Sequence, residues 1–330
     1  MLKVLKWLVI TSVVVAGIVY TAFQVSPWPS VLLIRHWFGA ETRAISDALL
    51  KHVPGNVTAV LDEPYDQPDP DARLDVFRPA GATGPLPAIV WVHGGAFVFG
   101  SKSDVTNYLK IVAARGYVTV AVGYAIAPTA TYPTPVVQVN KALGYLQANA
   151  ARLGIDPRQI FLAGDSAGAQ IAAQVSLLVT APDYASRVGI APLLAAENLR
   201  GVILFCGALE TRSLNFDGPF GGFLTTVLWA YSGRRDFIDD PRLKDFSIPA
   251  NMTAAFPPFF ISVGNGDPLE PSSRATERRA QELGVAVDAL FYPKGHRPRL
   301  PHEYQFNLDS DDGQLALTRM LAFLQARRLE

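Results

Sequence analysis

From residue 57 onward, short apolar or β-branched runs alternate with helical patterns, and this alternation restricts the fold more than any other feature of the chain. The runs predict eight strands, over Val57–Leu61, Leu74–Arg78, Ala88–Val92, Val118–Val122, Ile160–Ala163, Val202–Cys206, Phe259–Val263 and Ala286–Phe291. Helical patterns lie between them, over Val105–Ala114, Val136–Leu153, Ala167–Thr180, Ser272–Leu283 and Gln314–Arg327. Strands that alternate with helices form a mostly parallel sheet covered on both faces. The sequence therefore predicts an α/β domain with an eight-stranded sheet.

One region interrupts this alternation. Residues 208–258 form a long insertion between two predicted strands and contain an apolar helical piece, Phe220–Tyr231. Connections of this length usually have a function, such as a lid or a binding wall. Together with residues 25–55, the insertion is predicted to form a cap on a single domain that spans 25–330. The amphipathic segment Trp28–Leu50 within that cap equally fits a helix on a membrane surface.

The N-terminus is the most apolar part of the chain. Lys3 and Lys6 precede an uncharged run over Trp7–Phe23, which is close to the shortest helix that crosses a bilayer. A membrane anchor, a cleaved signal peptide and a helix of a soluble protein all fit this run, although no A-x-A cleavage pattern follows it. We predict that residues 1–24 are an anchor. The lysines then place the main domain on the non-cytoplasmic side, which is the periplasm in a bacterium, and a soluble cytoplasmic protein is the second interpretation.

Charge and cysteine content exclude several function classes. Lys plus Arg and Asp plus Glu both number 29, and no basic stripe carries interleaved aromatics, so nucleic acid is not a predicted partner. The chain has no H-E-x-x-H, C-x-x-C or P-loop motif, so neither a metal nor an organic cofactor is predicted. Cys206, the single cysteine, lies in an apolar run and is predicted to be a small buried hydrophobe. The sequence does not decide whether the protein forms a homodimer.

The pentapeptide at 164–168, Gly-Asp-Ser-Ala-Gly, matches G-x-S-x-G, and its position makes the match specific. A predicted strand precedes it and an alanine-rich helical run follows, which is the strand–turn–helix order of a nucleophile elbow. Larger side chains at Gly164 or Gly168 would clash with neighbouring strands or the helix. Ser166 is therefore the predicted nucleophile, beside a helix N-terminus that favours developing negative charge.

A second glycine motif follows the predicted strand Ala88–Val92 directly, as His93, Gly94 and Gly95. In hydrolases that have a nucleophile elbow, a loop of this type supplies backbone N–H groups to an oxyanion. Gly94 and Gly95, with the N–H of Ala167, are predicted to form a three-donor oxyanion hole. His93 is predicted to hold the loop rather than to act as a base.

A catalytic serine needs a histidine base and an acid that orients the histidine. Asp267 follows the predicted strand Phe259–Val263 and is the predicted acid, although an aspartate before a proline also fits a helix N-cap. In this fold the acid and the histidine follow the serine in that order. After Ser166 the chain contains two histidines, His296 and His302, and the residues alone leave the choice open.

The chain resembles the hormone-sensitive-lipase-like family of α/β-hydrolases, the bacterial esterase group with a GDSAG elbow. Five segments carry the resemblance, and they occur in the family's order between residues 57 and 330. Two of them match the family motifs directly, the H-G-G loop at 93–95 and the elbow at 164–168. The other three resemble a family motif: Tyr124–Pro128 with Tyr132-Pro133 resembles Y-R-L-A-P-E, Asp267–Leu269 resembles D-P-L, and His302–Tyr304 resembles H-G-F. Ala96, Thr129 and Ala169 depart from the family pattern, and Thr129 removes a charge near the site.

The resemblance implies the α/β-hydrolase fold with a helical cap, and it selects His302 as the base, with His296 as a loop residue that borders the site. The expected protein is a serine carboxylesterase that hydrolyses short- to medium-chain acyl esters through an acyl-enzyme intermediate. A small acyl ester is its expected partner. A non-catalytic module on the same fold is disfavoured, because candidates for all three triad members are present. A peptidase or amidase with the same triad is the third interpretation.

Overall fold

An eight-stranded sheet forms the centre of the molecule, a computed structural model that describes residues 2–329. Its strands are β1 (Val57–Pro64), β2 (Arg73–Pro79), β3 (Leu86–Val92), β4 (Val118–Val122), β5 (Ile155–Asp165), β6 (Leu199–Phe205), β7 (Phe259–Val263) and β8 (Val287–Phe291). Their order is β1-β2-β4-β3-β5-β6-β7-β8, and pairing is parallel except between β1 and β2 and between β2 and β4. The predicted mostly parallel sheet is confirmed. Met1 and Glu330, the outer ends of the predicted anchor and domain, lie outside the described residues.

Helices lie on both faces of this sheet, and others precede it in the chain or belong to the insertion at 208–258. They are α1 (Leu2–Val25), α2 (Trp28–Ala48), α3 (Thr106–Ala113), α4 (Thr134–Ala148), α5 (Ala150–Leu153), α6 (Ser166–Thr180), α7 (Pro182–Val188), α8 (Gly221–Ser232), α9 (Leu243–Phe246), α10 (Ile248–Asn251), α11 (Glu270–Leu283) and α12 (Asp311–Gln325). Successive residues of β3 point to opposite faces, so Val90 belongs to the core shared with α4 and α6, whereas Trp91 belongs to the core shared with α3 and α12. The two cores hold the sheet rigid beneath its carboxyl edge.

The structure differs from the sequence expectation at several helices, among them the short helices α9 and α10, which were not predicted. The predicted helix over Val136–Leu153 is broken at Asn149, whose side-chain amide donates to the Tyr145 carbonyl at 3.0 Å, and such local bonds compete with helix continuation. Helix α7 was not predicted. Its signals were a proline at the first position, Pro182, and a left-handed glycine after the last turn, Gly189 with φ of 71°.

The two N-terminal helices differ in their contacts. The apolar window of α1, within Lys3–Val25, has a mean hydropathy of 2.1 and is not buried, and its length and composition are sufficient to cross a membrane. Helix α2 instead packs on the domain. Its Phe38 ring lies 5.7 Å from the rings of Phe99 and Phe223, between centroids. Segments from both predicted cap regions are therefore in contact, whereas the predicted domain limits stay a prediction.

Candidate active site

The pentapeptide at 164–168 forms a sharp turn between β5 and α6. Ser166 has a left-handed backbone, with φ of 50°, which is strained for a residue that carries a Cβ. A Cβ at Gly164 would lie 2.5 Å from the Gly168 carbonyl carbon, and a Cβ at Gly168 would lie 2.0 Å from the Val92 oxygen. Both positions therefore require glycine, as the sequence predicted. Ala167, in the first turn of α6, has no intrahelical acceptor for its N–H.

The loop after β3 approaches this turn. Gly95 has φ of 112°, and a Cβ there would lie 2.0 Å from the Phe99 carbonyl oxygen, so this position also requires glycine. A Cβ at Gly94 would lie 2.2 Å from Asp165 Oδ2, so the loop and the elbow approach each other only because Gly94 lacks a side chain.

His93 holds this loop. Its Nδ1 donates to the Gly94 carbonyl oxygen at 2.8 Å, and its ring stacks on Tyr124 at 4.3 Å between centroids. The Tyr124 hydroxyl in turn donates to the His93 carbonyl oxygen at 2.7 Å. Burial lowers the pKa of His93 to about 4, so the ring is neutral at neutral pH. These contacts agree with a structural histidine rather than a base.

Asp267 and His302 lie on two loops that are joined by hydrogen bonds. The Gly266 N–H donates to the Leu300 carbonyl at 2.8 Å, and the Leu300 N–H donates to Asn265 Oδ1 at 2.9 Å. With the loops held in this way, His302 Nδ1 donates to Asp267 Oδ2 at 2.7 Å. The buried Asp267 carboxylate also accepts a backbone N–H through its other oxygen, so its orientation is determined on both sides.

Residues that follow His302 fix the histidine loop in the core. The Tyr304 hydroxyl lies 2.7 Å from the Ser262 hydroxyl, and the Phe306 ring packs edge-on at 5.0 Å from Tyr108. Both aromatic side chains are buried, so they anchor the loop in the core. The histidine is consequently attached to β7 and to the core beneath the sheet.

His296 has different partners. Its Nε2 lies 3.0 Å from Asp312 Oδ2, at the start of α12, and its ring packs on Tyr292. Its carbonyl oxygen accepts a hydrogen bond from Asn265, two residues before the predicted acid. His296 therefore lies beside the acid loop, but its ring is bound to Asp312 and not to Asp267.

Cys206 is a neighbour of the site that sequence analysis treated only as a buried hydrophobe. It follows β6 with φ of 42° and is fully buried, as predicted. Its sulfur and one ligand atom each of Asp267 and His302 all lie within 4.8 Å of one another. Burial raises the pKa of the Cys206 thiol to about 12, so the group is neutral at neutral pH. No signal in the local sequence indicates this proximity, because it arises where β6 and β7 lie side by side.

The electrostatic environment of His302 favours its charged form. Removal from water lowers the pKa of His302, whereas contacts with Cys206 and Asp267 raise it, and the net shift is upward. Because the thiol is neutral, the Asp267 carboxylate is the charge that acts at neutral pH. The Ser166 hydroxyl has no hydrogen-bond partner among residues 2–329. A hydrogen bond between a catalytic serine and its base often forms fully only when substrate binds.

A pair of carboxyl groups beside Ser166 and His302 was also missed. Asp165 is buried, and its Oδ1 accepts a hydrogen bond from Trp91 Nε1 at 2.7 Å. Burial and the neighbouring Glu303 carboxyl raise the pKa of Asp165 well above its ordinary value. Glu303 Oε1 lies 3.6 Å from His302 Nε2. The sequence contained one signal of this pair, because Glu303 occupies the position that is glycine in the family's H-G-F motif.

Comparisons with known proteins agree with this architecture. A family model described as alpha/beta hydrolase fold matches residues 89–297, which is more than half of the chain. "Esterase LipQ" of Mycobacterium tuberculosis is 29% identical over 259 residues, 75% of this chain and 60% of the relative. "Carboxylesterase NlhH" of the same species is 29% identical over 239 residues, 71% of each chain. The match thus spans less than two thirds of the LipQ length.

Solved structures show the same fold. Esterase B from "Lactobacillus Rhamnosis" superposes with a TM-score of 0.76 at 22% identity, over 90% of this chain and 96% of that one. A hyperthermophilic esterase from Pyrobaculum calidifontis superposes with a TM-score of 0.71 at 23% identity, over 90% and 93% of the two chains. At these identities the superpositions establish the arrangement of strands and helices.

Proposed function

The chain belongs to the alpha/beta hydrolase fold family, within its hormone-sensitive-lipase-like branch, and from this premise we propose that it is a serine carboxylesterase. Ser166 is the proposed nucleophile, His302 the base and Asp267 the acid. One observation carries the proposal. A serine on a strained elbow stands beside loops that hold a histidine and a buried carboxylate 2.7 Å apart. The names of the relatives, which are esterases, point to the same reaction.

In the proposed acylation, the Ser166 oxygen attacks the ester carbonyl carbon while His302 Nε2 accepts the hydroxyl proton. Asp267 holds the other ring nitrogen and stabilises the imidazolium that forms. His302 then donates that proton to the departing alcohol, which leaves an acyl group on Ser166. A water molecule then attacks the acyl-enzyme while the same nitrogen accepts its proton, and that proton passes to the Ser166 oxygen as the acyl–oxygen bond breaks and the carboxylic acid leaves.

The negative oxygen that forms in both steps needs backbone donors. Gly95 and Ala167 are proposed donors, and losing one donor typically lowers the rate by about 10² to 10³. Gly94, which precedes Gly95 on the same loop, is the third proposed donor.

Replacement of the nucleophile tests the proposed function. Ser166→Ala should reduce hydrolysis of p-nitrophenyl butyrate by about 10⁴-fold or more, since a triad member is removed. Ser176→Ala is a matched control on the same helix, because the Ser176 hydroxyl only donates back to the Ala172 carbonyl. Activity of Ser166→Ala within tenfold of wild type would contradict the assignment. Turnover of matched anilides would instead indicate an amidase.

We propose that the substrates are esters with acyl chains of about eight carbons or fewer. A cap built from two segments is more compatible with a closed pocket than with an interfacial lid, and a closed pocket limits the length of the acyl chain. In this cap, α2 is bound directly to the loop behind the oxyanion donors. Arg35 Nε donates to the Val98 carbonyl at 2.7 Å, and another Arg35 nitrogen donates to the Ala127 carbonyl at 3.0 Å. A series of nitrophenyl esters tests this preference, and highest turnover on sixteen-carbon esters would contradict it.

We also propose that α1 anchors the chain in a membrane with the catalytic domain on the non-cytoplasmic side. The apolar window of α1 is the first support for this proposal, and the neighbouring helix is the second. Helix α2 begins three residues after α1 ends, and it exposes Leu32, Leu33 and Trp37 on its outer face. A tryptophan on such a face suits the membrane–water interface. Deletion of residues 1–23 should release the protein from membranes and leave ester hydrolysis intact. Full-length protein found entirely in the soluble fraction would count against the anchor.

A further inference from the structure

Two carboxyl groups meet on the side of the site opposite the Asp267 carboxylate. A Cβ built on Gly94 would lie 2.2 Å from Asp165 Oδ2 and 3.1 Å from Glu303 Oε1, so both oxygens converge on the same bare α-carbon. Two carboxylates cannot donate to each other, so a hydrogen bond between these groups requires a proton on one of them.

The surroundings of the pair favour one negative charge rather than two. Among residues 2–329, neither carboxyl group forms an ion pair with a lysine or an arginine, and Glu303 is paired with His302 alone. The titratable groups that face the pair are His93 and Tyr124, both neutral, with Cys206, Asp267 and His302. Like charges this close and this poorly solvated do not both ionise.

Burial decides which group keeps the proton. Asp165 is 3% exposed and lies within the sheet edge, whereas the Glu303 side chain is 19% exposed. The charged form is favoured at the better solvated position. Trp91 Nε1 donates to Asp165 Oδ1, and a protonated carboxyl group still accepts this hydrogen bond.

The chain maintains Glu303 in an unfavourable backbone conformation. Its φ of 58° and ψ of 27° are left-handed, where glycine is favoured, and the related family motif H-G-F has glycine at this position. The side chain turns inward from this strained position and reaches His302 Nε2 at 3.6 Å. Strain of this kind persists where surrounding contacts require it, and it is often found at functional sites.

We propose that Asp165 and Glu303 share one proton, which resides on Asp165, and that the resulting negative charge on Glu303 makes it a positioning residue that stabilises the imidazolium form of His302. His302 would then lie between two carboxylates, with Asp267 at Nδ1 and Glu303 near Nε2. The effect on catalysis rests on the esterase function proposed above. Whether the proton is shared does not depend on that function.

The role of Glu303 can be tested by following the ring titration of His302 by NMR in the full chain. Glu303→Gln keeps the side-chain shape and removes the charge, so the titration midpoint of His302 should fall by about one pH unit. This is the smallest shift usually caused by an opposite charge at this distance. Glu303→Gly removes the charge and the backbone strain together and should lower the midpoint equally. Glu282→Gln, an exposed glutamate on α11, is the matched control and should leave it unchanged.

Kinetic measurements distinguish this role from a merely structural one. In Glu303→Gln, kcat for a nitrophenyl ester should fall about tenfold with KM nearly unchanged, and the acidic limb of the pH profile should move to lower pH. Asp165→Asn imitates the protonated partner and should leave the acidic limb where it is in wild type. A limb that shifts in Asp165→Asn as much as in Glu303→Gln would show that the charge lies on Asp165 and would overturn the assignment.

The shared proton has its own readout. Infrared spectra of wild type at neutral pH should contain the carbonyl band of a protonated carboxylic acid, and Asp165→Asn should lack it. Absence of this band in wild type would overturn the shared proton. A His302 midpoint unchanged in Glu303→Gln would overturn the effect on the histidine. An inactive wild type that still showed both signals would refute the esterase proposal and leave this inference standing.

Discussion

Replacement of each of the two late histidines gives the sharpest contrast that the structure predicts. His302→Ala removes the partner of Asp267 Oδ2 and the proposed acceptor of the Ser166 proton. The expected loss in kcat/KM is about 10⁴-fold or more, which corresponds to about 5.4 kcal/mol of transition-state stabilisation. His296→Ala removes a partly exposed ion pair with Asp312, worth at most about 1 kcal/mol of stability, and should alter kcat/KM only a few-fold.

A second variant separates catalysis from folding in this experiment. His302→Ala leaves a buried acceptor without its donor, which costs about 1–3 kcal/mol of stability. His302→Asn retains an N–H near the position of Nδ1, so it should fold more like wild type and still lack a base. Initial rates on p-nitrophenyl butyrate, with urea unfolding of each variant, measure both effects. His302→Asn that remains folded with more than a tenth of wild-type activity, or His296→Ala that loses 10⁴-fold, would refute the assignment of the base.

Three further predictions concern packing, backbone and titration. Phe306→Ala removes a buried ring that packs on Tyr108 and should lower the free energy of unfolding by about 3–5 kcal/mol in urea titrations, so a loss below 1 kcal/mol would contradict the packing account. Gly168→Val places atoms against the β3 backbone and should abolish soluble or active protein, whereas Gly222→Val, which meets nothing within 4 Å, should be tolerated. Because burial and the adjacent glutamate raise the pKa of Asp165 in the folded chain, stability should fall as pH rises from about 4 toward that raised value, and thermal melts of Asp165→Asn should lack this slope.

The sheet was predictable because its central strands are short and buried on both faces. Runs such as Val118–Val122 and Phe259–Val263 consist mostly of β-branched or aromatic residues, and the structure has strands with the same limits. The helix over Val136–Leu153 was less predictable. Apolar periodicity continues through Asn149, but the helix is broken there, because the asparagine side chain satisfies a backbone carbonyl locally.

The elements of the site were predictable where a motif needs a particular backbone. Gly164 and Gly168 are required by contacts with backbone atoms, so the motif carries the turn with it. By contrast, the contacts of Cys206 and Glu303 with His302 join segments that are distant in sequence. Such contacts depend on strand order and on which way a strained residue turns, and neither is visible in a local pattern.

Chemical labelling tests the central claim most directly. A fluorophosphonate should react once per chain, and digestion with trypsin should place the adduct within the peptide that spans residues 159–187, with fragmentation locating it at Ser166. Labelling should disappear in Ser166→Ala and persist in Ser176→Ala. The absence of any adduct on folded wild-type protein, or an adduct on a residue other than Ser166, would contradict the account.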